Sequence, residues 1–251
     1  MKIPSLVKKY LMALTGLALV GFVVGHMLGN LQIYLEPYYI NAYALKLKEL
    51  GPLLWVIRAV LLVIIAVHIW MAISLTIENK EARPEKYKAE ATVQATYSSR
   101  TMPISGLILL SFIIFHLAHF TVRIVPGHEY DTAIQMSDGS IYEAYVPLVA
   151  SGEEAAADTV VSLDVHTMMV AGFSYWWISI FYLIGMALLC MHLSHGISSM
   201  FQSLGFRNRT WRARLDPLAK ITGILLFLGF SSIPVAVLTG LVSVQGIPAA
   251  G

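Results

Sequence analysis

Five runs of apolar residues, each near or above twenty positions long, divide the chain at about 10–31, 53–77, 103–125, 168–197 and 218–244. Twenty helical residues rise about 30 Å, the thickness of a bilayer's hydrocarbon core. No Asp or Glu falls inside any of the runs, so each predicts a membrane-spanning helix. Pro103 and Pro217 stand near the starts of the third and fifth spans, where a missing N–H breaks no helical hydrogen bond. Pro234 lies inside the fifth and predicts a kink. Between the first two spans, "IYLEPYYINAYALKLKELG" reads as a short amphipathic helix at the outer surface, with Tyr38, Tyr39 and Tyr43 as an interfacial aromatic belt. Residues 126–165 hold Glu129, Asp131, Asp138, Glu143, Glu153, Glu154, Asp158 and Asp164 but no Lys or Arg. This outer acidic segment reads as a solvated cap. Within it "SDGSIYEAYV" suggests a turn leading into a short strand-like piece. The expected fold class is all-α: one polytopic membrane domain over 1–251, with five helices in a bundle.

Composition agrees. The chain is 57% hydrophobic and 13% charged, with a mean hydropathy of +0.69, whereas a soluble domain is about a quarter charged. A net charge of +2 gives no reason to expect a nucleic-acid partner. The opening "MKIPSLVKKY" before an apolar run has the order of a signal peptide. That run is about twice the usual signal core and ends in no small-x-small site, so it reads as a retained helix. Charge sets the orientation. Lys2, Lys8 and Lys9 precede span 1. Lys80, Arg83, Lys86, Lys88 and Arg100 join spans 2 and 3, and Arg207, Arg209, Arg212, Arg214 and Lys220 join spans 4 and 5. These are thirteen of 17 basic residues, all on one side of a five-span topology. The other side has Lys46 and Lys48, with Arg58 and Arg123 near helix ends. The N-terminus is therefore expected inside and the C-terminus outside.

The chemistry rests on histidine. The single cysteine, Cys190, excludes an intramolecular disulfide, a CxxCH haem attachment and a cysteine-held iron–sulfur cluster. Of eight histidines, His128 and His166 fall in or near the outer segment and read as ordinary surface or interfacial residues. His26, His68, His116, His119, His192 and His195 fall within spans, where a bare imidazole is costly. His26 is 17 residues after Lys9 and His116 is 16 after Arg100, roughly 25 Å from those inner charges. His68 is 10 residues before Glu78 and His192 is 10 before Gln202, roughly 15 Å from the inner markers. The result is an outer pair on spans 1 and 3 and an inner pair on spans 2 and 4.

Two levels, each with histidines on two helices, suit two haems with bis-histidine axial ligation. Zinc would want four ligands at one level, and a proton relay would normally include an intramembrane carboxylate. On span 4 the depth count admits either His192 or His195. Gly21, Gly25 and Gly29 bracket His26 and permit close approach of either a helix or a flat macrocycle. Lys9, Arg58, Arg100 and Arg123 are candidates for haem propionates, or simply charges that set topology and snorkel.

The stretches "GFVVGHMLGNLQ", "LLVIIAVHIWMAISL", "LILLSFIIFHLAHF" and "CMHLSHGISSMFQSLG" resemble the haem-ligand segments of a known family. It is the single-chain, five-helix, dihaem cytochrome b membrane-anchor subunit of succinate:quinone oxidoreductases (succinate dehydrogenase and fumarate reductase). "NAYALKLKELGPLLWVIRAVLL" and "ENKEARPEKY" are similar to it too, and the long 126–165 segment departs from it. The resemblance implies axial ligands at His26 and His116 for one haem b and at His68 and His192 for the other. It implies a flavoprotein subunit with covalent FAD and an iron–sulfur subunit docked on the inner face of a bacterial cytoplasmic membrane, with no dicarboxylate chemistry in this chain. It further implies a lipid quinone, menaquinone by family association, with Asn30, Gln32, Tyr43 and Glu49 as candidates for its neighbourhood. A higher oligomer of the complex is compatible with this. Alternatives are the dihaem anchor of a hydrogenase or formate dehydrogenase, or a transporter without haem. His119 and His195 are expected in helix-end packing or beside the ligands.

Overall fold

A computed structural model describes residues 3–82, 97–127, 132–136, 145–147, 160–206 and 208–247. Five helices in it are long and apolar enough to cross a membrane: Ser5–Tyr34, Pro52–Glu81, Thr101–Val122, Trp176–Ser203 and Thr210–Leu238. Their flanks carry bare apolar side chains, with Leu62, Trp70, Leu107, Ile114 and Leu225 all more than half exposed. A helix whose backbone is internally bonded and whose surface is this apolar is matched to lipid.

Helix α1 (Ser5–Asn30) tightens into a 3₁₀ turn at Leu31–Tyr34. Pro37 forces the preceding Glu36 into an extended conformation (ψ 143°) and then opens α2 (Pro37–Glu49), where no N–H is needed. Gly51, at φ +53°, turns the chain into α3 (Pro52–Glu81). Helix α4 (Tyr97–Leu117) passes through Pro103 and runs into a π-helical turn, Ala118–Val122, closed by Arg123 at φ 59°.

The expected fourth span, 168–197, is two helices. Helix α5 (Val165–Ser174) ends where Tyr175 turns extended, and α6 runs Trp176–Ser203. The break is satisfied locally. Ser179 Oγ donates to Phe173 O, so this carbonyl freed at the break is not left bare, and Ser174 Oγ bonds back to Val170 O within α5. Helix α7 (Arg209–Leu238) starts earlier than expected and its helical backbone runs on through both Pro217 and Pro234. The 126–165 segment adds strands to an otherwise helical chain. β1 (Thr132–Met136), β2 (Tyr145–Pro147) and β3 (Val160–Leu163) form an antiparallel sheet in the order β2-β1-β3. Ile134 pairs with Tyr145 and with Ser162. The strand expected in "SDGSIYEAYV" includes the start of β2, while its turn lies outside the described residues. So do His128 and seven of the segment's eight acidic residues, Asp164 being the exception.

The chain divides into two compact units, cut across the long helices: Met1–Gly25, Trp55–Ser111 and Gly185–Phe227 form one, and His26–Leu54, Phe112–Ile184 and Leu228–Gly251 the other. In the first unit the buried Lys8 ammonium is bonded to Ser74 Oγ and paired with Glu78, so α1 and α3 share one level at that end. In the second, Asn41 on α2 donates to Asp164 Oδ1 at 2.9 Å and accepts from the Val165 and His166 amides. Asp164 caps α5 through the Thr167 N–H at 3.0 Å and takes the Thr167 hydroxyl on its other oxygen. Both Asn41 and Asp164 are fully buried. Asp164 therefore does not belong to a solvated cap; it fixes α5 to α2.

Candidate functional site

The rulers used to place the histidines are each a single unbroken helix: Lys9 to His26 in α1, His68 to Glu78 in α3, Arg100 to His116 in α4, and His192 to Gln202 in α6. The four histidines divide between the units in the pairs that depth gives. His68 and His192 lie in the first, His26 and His116 in the second.

In the second unit the imidazoles of His26 and His116 meet edge to face, with ring centroids 5.7 Å apart and planes at 86°. Two rings sharing one iron stand roughly 6 Å apart, from two metal–nitrogen bonds of about 2 Å plus the ring radii. The centroid spacing of the pair is of the order that two rings holding one iron between them would have. Phe230 lies against His26 at 6.0 Å, and Phe112 stacks on His116 at 6.2 Å. His116 Nδ1 is 3.2 Å from Tyr182 Oη.

In the first unit His68 and His192 each meet a hydroxyl and a glycine on a neighbouring helix. His68 Nδ1 is 3.1 Å from Thr15 Oγ1, and a Cβ on Gly16 would stand 3.4 Å from the His68 ring. His192 Nδ1 is 3.2 Å from Ser105 Oγ, and a Cβ on Gly106 would stand 3.6 Å from its ring. Thr15 donates its one hydroxyl proton to Leu11 O at 2.7 Å, and Ser105 donates its own to Met102 O at 3.1 Å. With its proton on that carbonyl, each hydroxyl can accept from Nδ1–H, an arrangement that would leave the Nε2 lone pair of the histidine open. The sequence signal for this was "TGL" at 15–17 and "SGL" at 105–107, a repeat too short to single out without the fold.

His119, three residues after His116, is buried in the π turn, with Nδ1 3.1 Å from the same Tyr182 hydroxyl. His195 is half-buried, one turn after His192 on α6. His166 is not a surface residue. It is 5% exposed, and its Nδ1 has no hydrogen-bond partner among the described residues. Burial pushes its pKa below the ordinary 6.5, against an opposing pull from the Asp164 carboxylate. Among the described residues no group of three or more His, Cys, Asp or Glu could hold a metal ion; bis-histidine ligation needs only two.

The other candidates scatter. Asn30 Nδ2 is spent on His26 O at 2.7 Å. A Cβ on Gly29 would stand 2.8 Å from the Tyr43 ring, so Tyr43 packs on α1 and is only partly a belt residue. Gln32 is half-buried and Glu49 exposed at the end of α2. Of the glycine ridge, only Gly29 meets a neighbour; a Cβ on Gly21 or Gly25 meets nothing within 4 Å. Arg58 is exposed and lies 5.0 Å over the Trp55 ring, and Lys9 is exposed. Arg123 caps the π turn and is half-buried. The Arg100 side chain lies outside the described residues, as does the basic stretch 83–96. Compared with known proteins, the chain matches no family model, no curated protein and no solved structure.

Proposed function

We propose that the chain is the membrane anchor and electron-transfer subunit of a succinate:quinone oxidoreductase, of the single-chain dihaem cytochrome b type, in a bacterial cytoplasmic membrane. The observation that carries the reading is the treatment of the paired histidines. Two pairs fall in two units, and in three of the four rings Nδ1 is engaged by a hydroxyl from another helix, which leaves Nε2 to ligate. His26 and His116 would hold one haem, His68 and His192 the other. Haem b, when bound, supplies one-electron transfer. The chain's part is to hold the ligand rings and exclude water with Phe112, Phe230 and the surrounding apolar side chains. The resemblance in the ligand segments supports a flavoprotein carrying FAD and an iron–sulfur subunit as partners on the basic face, and a quinone, menaquinone by the same association, as the membrane partner.

A dithionite-reduced minus oxidised spectrum of the purified protein, with haem-to-chain stoichiometry, tests the haem reading. Two b-type haems per chain are expected, falling to one in His116→Ala and remaining two in His119→Ala. The absence of an α-band ends it, and two haems in His116→Ala overturn the ligand assignment. Co-purification tests the partner: a large subunit with covalent flavin is expected, whereas a nickel or molybdenum enzyme would make this the anchor of a different quinone-linked complex.

A further inference from the structure

The Tyr182 hydroxyl lies between two histidines of its own unit, 3.2 Å from His116 Nδ1 and 3.1 Å from His119 Nδ1. A phenol has one proton and can give it to only one of them. If His116 ligates iron through Nε2, its remaining proton is on Nδ1, and Nδ1–H must donate to Tyr182 Oη. The Tyr182 O–H is then free to donate to His119 Nδ1, which must be bare, so His119 carries its own proton on Nε2. Reversing the chain would put the His116 proton on Nε2 and abolish ligation.

We propose that Tyr182 and His119 are positioning residues for the His116 ligand: a one-way chain, His116 Nδ1–H to Tyr182 O–H to His119 Nδ1, that sets the His116 tautomer and strengthens its ring as a donor. The inference rests on the haem reading and extends it to residues that touch neither iron nor quinone. The chain is held rigidly. His119 stacks on Phe120 at 4.0 Å, and Tyr182 meets Phe173 at 4.9 Å and Phe112 at 5.1 Å. A Cβ on Gly172 would come within 2.5 Å of His119 Nε2. Gly172 itself is pressed from another side, since a Cβ on Gly127 would stand 2.9 Å from its Cα. Gly172 thus leaves the space that the His119 ring occupies. An axial imidazole that donates from Nδ1 is the more basic ligand and favours ferric iron, so the hydrogen bond lowers the haem potential.

The test is redox titration and low-temperature EPR of the purified full chain. Tyr182→Phe keeps the ring and removes the hydroxyl. Both haems are expected to remain, with the midpoint potential of one moving upward, its low-spin g-values shifting, and the other haem unchanged. His119→Leu should move the same haem in the same direction by less, and His119→Asn, which places an amide oxygen near the Nδ1 position, should restore it. Unchanged potentials and g-values in Tyr182→Phe overturn the inference. If Tyr182→Phe loses a haem, the His119 pair decides: equal potentials in the Leu and Asn variants overturn it, and recovery with Asn supports it. A wild-type chain without haem fails the haem reading itself, whereas two haems with an inert Tyr182→Phe fails only this inference.

Discussion

Whether a buried imidazole is a ligand, a base or filler depends on which nitrogen keeps its proton, and neighbouring hydroxyls bias that choice. Thr15 and Ser105 each reach a carbonyl of their own helix as well as Nδ1 of His68 and His192, and with their protons on the carbonyls they accept from the rings. The sequence placed those histidines at matching depths but could not assign the hydroxyls, because the partners are 53 and 87 residues away. It separated His116 from His119 by one turn, and only the fold shows that both address Tyr182. His166 was misread for a related reason: proximity to an acidic segment suggested exposure, whereas α5 buries it. In the unfolded chain His166 titrates near 6.5, and in the folded chain burial holds it lower. Between those values the unfolded chain binds more protons, so this contribution to stability is full above pH 6.5 and is lost as pH falls below it. Thermal unfolding in detergent checks this: below pH 6.5 the midpoint of the wild type should fall more steeply with acidification than that of His166→Phe. Parallel curves would show that His166 does not contribute.

The elements were legible where period and length were strong and blurred where local hydrogen bonds intervene. All five long helices overlap the predicted spans, but the fourth apolar run hides a break at Tyr175 that Ser174 and Ser179 make tolerable. Hydropathy does not register it, because "GFSYWW" is apolar on both sides of the break. Asp164 and Thr167 form an N-cap that apolar periodicity alone did not reveal. Close helix approach likewise depends on particular glycines. A Cβ on Gly223 of α7 would meet Cys190 O of α6 at 2.9 Å and Ser194 Oγ at 2.6 Å, and a backbone carbonyl cannot swing aside. A Cβ on Gly229 would meet chiefly the flexible thioether of Met27, which can. Overpacking costs about 1–3 kcal/mol. Gly223→Ala should therefore lower the detergent-solubilised unfolding midpoint distinctly, and Gly229→Ala should lower it less. Equal midpoints for the two variants would contradict this packing.

At the scale of the whole molecule the sequence speaks through charge. Thirteen of 17 basic residues flank alternate span ends, which predicts the N-terminus inside and the C-terminus outside. A phosphatase active only outside the membrane, fused after Gly251, should be active, and the same fusion placed within 83–96 should be inactive; the opposite pattern would invert the topology. Span number, expected orientation and the depth of each histidine follow from sequence alone, because each is counted along one helix from a fixed 1.5 Å rise and a fixed bilayer thickness. What the tertiary structure decided is everything set between helices: that the His26 ring meets His116, that Thr15 and Ser105 reach the rings of His68 and His192, that Tyr182 joins His116 to His119, and that Asp164 is buried against Asn41. Those contacts join positions up to 123 residues apart. They depend on which face each helix turns to its neighbours, and near-uniform apolarity around a membrane helix leaves that face unmarked in the sequence.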